Sequence, residues 1–137
     1  MAVEITGNYL GNLKMELHHG PSGAVLLTAA PVDNQGDGSS FSPTDLVAAA
    51  MASCMVTTMG IVAQRHAIDL ARATFRVEKH MTHEGPRRIA ALPVEIHLPA
   101  SLTPEQRQLM ERTAHTCPVH RSLIAEVDRP IRFVYDA

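Results

Sequence analysis

Apolar and polar positions alternate with a period of two along the first thirty residues. Val3, Ile5, Gly7 and Tyr9 alternate with polar neighbours, and Leu13, Met15 and Leu17 interleave with Lys14, Glu16 and His18. Successive side chains of a strand point to opposite faces, so the pattern predicts half-buried strands. Leu10-Gly11-Asn12 and His19-Gly20-Pro21-Ser22-Gly23 provide turns, and residues 24–28 predict a third strand. Residues 31–42, rich in Asp, Asn, Gly and Ser, predict a surface loop.

The pattern then changes. Ser42-Pro43-Thr44-Asp45 reads as a helix start: Ser42 caps, Pro43 suits the first helical position, and Asp45 completes a capping box near the positive helix end. No charged residue follows until Arg65. The length of that run suits a bilayer span. Its small residues and methionines, without flanking Lys/Arg clusters or aromatic belts, instead predict a central core helix apolar on all sides. Thr103-Pro104-Glu105-Gln106 repeats the capping device and opens a second helix to about Thr116.

Between the helices, Ala71, Ala73, Phe75 and Val77 alternate with polar residues, as do Leu92, Val94, Ile96 and Leu98, predicting two strands joined near Glu84-Gly85-Pro86. Pro118 opens a short helix to about Ala125, and Ile131, Phe133 and Tyr135 form a last strand. The order βββ-α-ββ-α-α-β predicts one α+β domain over residues 1–137, with a mainly antiparallel sheet packed on the long helix.

Composition narrows the function classes. With 45% hydrophobic residues, 137 residues are enough to bury a core without staples or metal. A formal net charge of −2 leaves no basic stripe for nucleic acid. The N-terminus shows no basic region followed by an apolar core, so a cytoplasmic location is expected, with no membrane or nucleic-acid partner. In that reducing compartment the two cysteines, Cys54 and Cys117, are expected as thiols or a transient pair.

Each cysteine supports two readings. Cys54, among small neighbours in the first helix, reads as a buried small hydrophobe or a reactive thiol. Cys117 precedes Pro118, which either punctuates two helices or places the thiol at a helix N-terminus, where peptide N–H groups favour the thiolate. His115, Cys117 and His120 are competent zinc ligands, but a fourth ligand would have to come from far away, and neither metal nor cofactor is expected.

The two cysteine frames together, Ser42-Pro43-Thr44-Asp45-Leu46 through Ser53-Cys54 and Cys117-Pro118-Val119-His120-Arg121-Ser122-Leu123, resemble the OsmC/Ohr superfamily of thiol-dependent hydroperoxide reductases. The resemblance implies the OsmC-like fold and an intertwined homodimer with the cysteine helices packed at its core. It implies catalytic Cys54, oxidised by an organic hydroperoxide to a sulfenic acid, and Cys117, resolving it as a disulfide that a dithiol reductant, lipoyl-type or a small thiol, recycles. The arginine that lowers the reactive thiol's pKa in well-characterised members has no counterpart before Arg65, and Thr44 stands at the position of the glutamate that holds it. The chain thus resembles the broader OsmC-like group, for which a non-peroxidatic protein binding a small apolar or electrophilic ligand is the alternative. Lys14, His18, His19 and His120 are the candidates to replace the missing charge.

Overall fold

A computed structural model describes residues 1–137, whose backbone contacts divide into two compact units, Met1–Leu46 and Val47–Ala137. In the first, β1 (Ile5–Gly11), β2 (Lys14–His19) and β3 (Val25–Ala29) form the antiparallel sheet β1-β2-β3. The first turn falls at Asn12 and Leu13, both with positive φ (54° and 62°), one residue later than the glycine suggests. Register puts Gly7 opposite Leu17 and Leu17 opposite Leu26, so Ile5, Tyr9 and Leu26 share a face. All three are exposed, as are Val25 and Leu27 on the other face. The expected half-burial therefore fails for β1. The following loop holds one 3₁₀ turn, Val32–Asn34, and then packs so closely that a Cβ on Gly36 would lie 1.8 Å from the Ala30 carbonyl oxygen.

Helix α1 (Pro43–Arg65) starts at the expected cap. The Ser42 hydroxyl accepts the Asp45 N–H at 3.1 Å and the Asp45 carboxylate accepts the Ser42 N–H at 2.8 Å, which satisfies two amides that the helix cannot pair internally. The helix stops where Ala67 turns left-handed (φ 54°) and the Ile68 N–H reaches the Ala63 carbonyl at 2.9 Å. This is the Schellman closure usually made with glycine.

The second unit is built on this helix. Met51, Met55 and Met59, four residues apart, are fully buried, each contributing on the order of 2 kcal/mol by leaving water. They share a core with Leu92, Val94, Ile96, Leu98, Met110, Ala114 and Cys117. By length and hydropathy α1 qualifies as a membrane span, but its methionine stripe belongs to this protein core. Its other face, Ala50, Ser53, Thr57 and Ile61, is exposed in the single chain.

Four strands stand where the alternation suggested two: β4 (Thr74–Val77), β5 (His80–Met81), β6 (Ile89–Ala91) and β7 (Val94–His97). β4 pairs antiparallel with β7, and β5 with β6. The ladder breaks beside Pro93, which accepts the Glu78 N–H at 3.1 Å but has no N–H to return. β4 is an edge strand, so Phe75 remains partly exposed although its partner Ile96 is fully buried.

Helix α2 (Pro104–Ala114) carries the expected Thr103/Gln106 capping box but ends two residues before Thr116. Helix α3 (Pro118–Ser122) ends before Ala125. This crossover returns β8 (Ile131–Val134) parallel to β7, the one parallel pairing of the strands. The fold class is the α+β arrangement expected.

Candidate functional site

α1 presents Cys54 half-buried, between its methionine stripe and its open face. Cys117 is fully buried at the junction of α2 and α3. The junction follows from Pro118. Its ring removes an N–H and keeps Cys117 out of the helical region (φ −57°, ψ 131°), so α2 cannot continue and Cys117 becomes the N-cap of α3. Its sulfur accepts the His120 N–H at 3.2 Å. Thr113 and Thr116 close the end of α2 through hydroxyl bonds to the Leu109 and Thr113 carbonyls, both 2.7 Å.

The two sequence-distant cysteines are free thiols packed in one core cluster, and each bears on the acidity of the other. Around Cys54, burial pushes the thiol pKa up, but the Val119 N–H, the Cys117 thiol and the Thr58 hydroxyl stabilise the thiolate, and the outcome lies below the usual thiol value. The Thr58 oxygen is 3.9 Å from the sulfur. Cys117 moves the other way: burial dominates and pushes its pKa up, and the neighbouring Cys54 adds to the rise against the His120 and Val119 amides. The Cys117 sulfur also lies 3.8 Å from the Met51 carbonyl oxygen. A thiol has one proton, so Cys117 gives it to Met51 or to Cys54. Ionisation of Cys54 makes the sulfur the stronger acceptor.

The groups that lower the Cys54 pKa are therefore neutral. Of the cationic candidates, Lys14 pairs with Asp37 at 2.9 Å, His18 with Glu16 at 2.7 Å, and the His19 ring bonds Ser22 at 2.6 Å. His120 meets Cys117 through its backbone N–H. Its imidazole is kept below the usual histidine pKa by burial, by Arg129 and by His115, and its Nδ1 is buried without a partner. His115 and His120 meet edge to ring with centroids 5.8 Å apart, and no three His, Cys, Asp or Glu side chains are arranged to hold a metal.

Sequence reasoning named both cysteines but missed Thr58, Met51 and Val119. Thr58 was within reach of helical spacing, since residue i+4 shares a face with residue i. The amide of Val119 and the carbonyl of Met51 belong to the backbone and leave no residue-type signal.

The sequence profile of the family described as OsmC-like protein matches residues 36–129. No curated protein matches the chain by sequence. The structure superposes on a protein of Psychrobacter arcticus described as an osmotic stress induced and detoxification response protein, with TM-score 0.90 and 36% identity over 97% of this chain and 96% of that one. An organic hydroperoxide resistance protein OsmC of Legionella pneumophila matches with TM-score 0.77 and 20% identity over 98% and 97% of the chains. The organic hydroperoxide resistance protein OhrB of Bacillus subtilis does so with TM-score 0.69 and 17% identity over 97% and 98%.

Proposed function

This chain belongs to the OsmC-like family, and from that premise we propose that it is a thiol peroxidase that reduces organic hydroperoxides. The observation that carries the reading is the pairing of Cys54 and Cys117 in one core cluster, with one thiol shifted toward ionisation and the other held protonated. The Legionella and Bacillus proteins, described as organic hydroperoxide resistance proteins, are consistent with that substrate class.

The Cys54 thiolate attacks the distal peroxide oxygen. The O–O bond breaks, the alkoxide leaves as alcohol after taking a proton from solvent, and Cys54 becomes a sulfenic acid. The Cys117 sulfur then attacks the Cys54 sulfur. The S–O bond breaks, and the departing hydroxide leaves as water with the proton of the Cys117 thiol. A dithiol reductant reduces the disulfide by two exchanges and is itself oxidised to a cyclic disulfide. Such a cycle belongs in a reducing compartment, and the cytoplasm is the location this reading requires.

The active form in this reading is a homodimer. The exposed α1 face and the exposed apolar residues Ile5, Tyr9 and Leu26 of the first sheet are the surfaces a second copy would cover.

The test uses reduced protein with cumene hydroperoxide and a dithiol. Wild type is expected to consume peroxide catalytically, with a 54–117 disulfide visible by mass spectrometry when the dithiol is withheld. Cys54→Ser is expected to abolish consumption, and unchanged turnover in that variant would refute the reading. The neutral donors around Cys54 favour the second reading, a thiol that captures a small electrophile. Stoichiometric adduct formation without peroxide turnover would select it.

A further inference from the structure

Two of the three donors that act on Cys54, the Val119 amide and the Cys117 thiol, come from one weak element. α3 has five residues, far fewer than a helix needs to persist on its own. It nevertheless supplies the Val119 N–H and carries Cys117 as its cap. A helix this short must be held from outside, because its last carbonyls have no internal partners.

Arg129 provides such a hold. Its Nη1 donates to the His120 carbonyl of α3, and its Nε donates to the Val127 carbonyl at 3.1 Å. The backbone on either side of Arg129 is pinned to strands. The Asp128 N–H donates to Ala90 at 2.9 Å and its carbonyl accepts Leu92 N–H at 2.7 Å, while the Pro130 carbonyl accepts Val94 N–H at 2.9 Å. The guanidinium therefore spans from a fixed sheet edge to the helix that faces Cys54. Arginine suits the task because its planar fork reaches two carbonyls at once.

We propose that Arg129 is a positioning residue that ties α3 to the sheet and thereby holds the Val119 amide and the Cys117 sulfur on Cys54. It acts through the His120 carbonyl, without touching either thiol. Its effect on Cys54 acidity stands without the peroxidase reading; its effect on turnover rests on that reading. The residue lies outside both cysteine frames.

The experiment compares full-length wild type with Arg129→Met, Arg129→Lys and Arg121→Met. Arg121 shares α3 and the same charge but is exposed. Iodoacetamide labelling of Cys54 against pH, resolved from Cys117 by peptide mass spectrometry, reads its acidity without peroxide. Arg129→Met is expected to move the Cys54 midpoint up by about one pH unit, a roughly tenfold loss of thiolate at any pH well below the wild-type midpoint. Arg129→Lys, which can reach one carbonyl, should move it less, and Arg121→Met should leave it in place. Disulfide formation after one equivalent of cumene hydroperoxide should slow in the same order. An unshifted midpoint in folded Arg129→Met, or an equal shift in Arg121→Met, would overturn the proposal. If Arg129→Met does not fold, Arg129→Lys decides: an unshifted midpoint there refutes it equally. A labelling shift in a protein whose wild type fails to turn over peroxide would leave this inference standing and remove the peroxidase reading.

Discussion

Cys54 and Cys117 are the same residue in the same core, yet their chemistry is set in opposite directions. Cys54 lies half-buried, where three neutral donors outweigh the cost of leaving water; Cys117 is fully buried and that cost prevails. A helix N-terminus lowers a thiol pKa when the thiolate is accessible to its amides, and Cys117 has such an amide at 3.2 Å. Burial and the adjacent Cys54 nevertheless hold it protonated. A favourable cap does not make a reactive thiol when desolvation is complete. The Val119 amide of α3 has its productive effect on the thiol of another helix.

Three measurements break or sharpen this contrast. The largest effect is expected from Cys117→Ser. Without a resolving thiol, Cys54 should stop at the sulfenic acid, trappable with dimedone, and dithiol-driven turnover should fall by about two orders of magnitude, a loss typical of removing a directly reacting group. Full turnover in that variant would mean that the reductant attacks Cys54 directly. The next effect is the pH dependence of alkylation in the reduced wild type. A lowered pKa at Cys54 and a raised one at Cys117 mean that, as pH rises, the Cys54 thiolate accumulates ahead of the Cys117 thiolate. Two separated labelling waves are expected, Cys54 first, and simultaneous labelling would erase the contrast. The smallest effect should come from Thr58→Val, which keeps the shape of the side chain and removes one neutral donor. The Cys54 midpoint should rise by a few tenths of a pH unit, matching the roughly 0.5 kcal/mol lower scale of one modest hydrogen bond. A shift larger than that from Arg129→Met would make the hydroxyl, rather than α3, the main support of the thiolate.

Much of the molecule was legible in its local chemistry. Both capping boxes, at Ser42/Asp45 and Thr103/Gln106, form as read, because a cap is decided by residues within one helical turn. Pro118 ends α2 and starts α3 for an equally local reason. The failures are non-local. Phe75 alternates correctly but lies on an edge strand, and β1 alternates correctly but is exposed along nearly its whole length, since periodicity says which side chains share a face and not whether anything covers it. The parallel pairing of β8 was equally invisible, because a single strand carries no mark of its neighbour's direction.

The sequence by itself determined the two helices with their starts, the alternation of the strands, and the two cysteines as the residues to watch. These rest on interactions a few residues long. Only the tertiary structure decided that residues 54 and 117 meet, that the charge missing before Arg65 is answered at Cys54 by neutral donors, and which of the two thiols ionises more readily. The reason is physical. A thiol's acidity is the balance of burial against whatever donors the fold places on its sulfur, and at Cys54 the strongest of those donors is a backbone amide sixty-five positions along the chain.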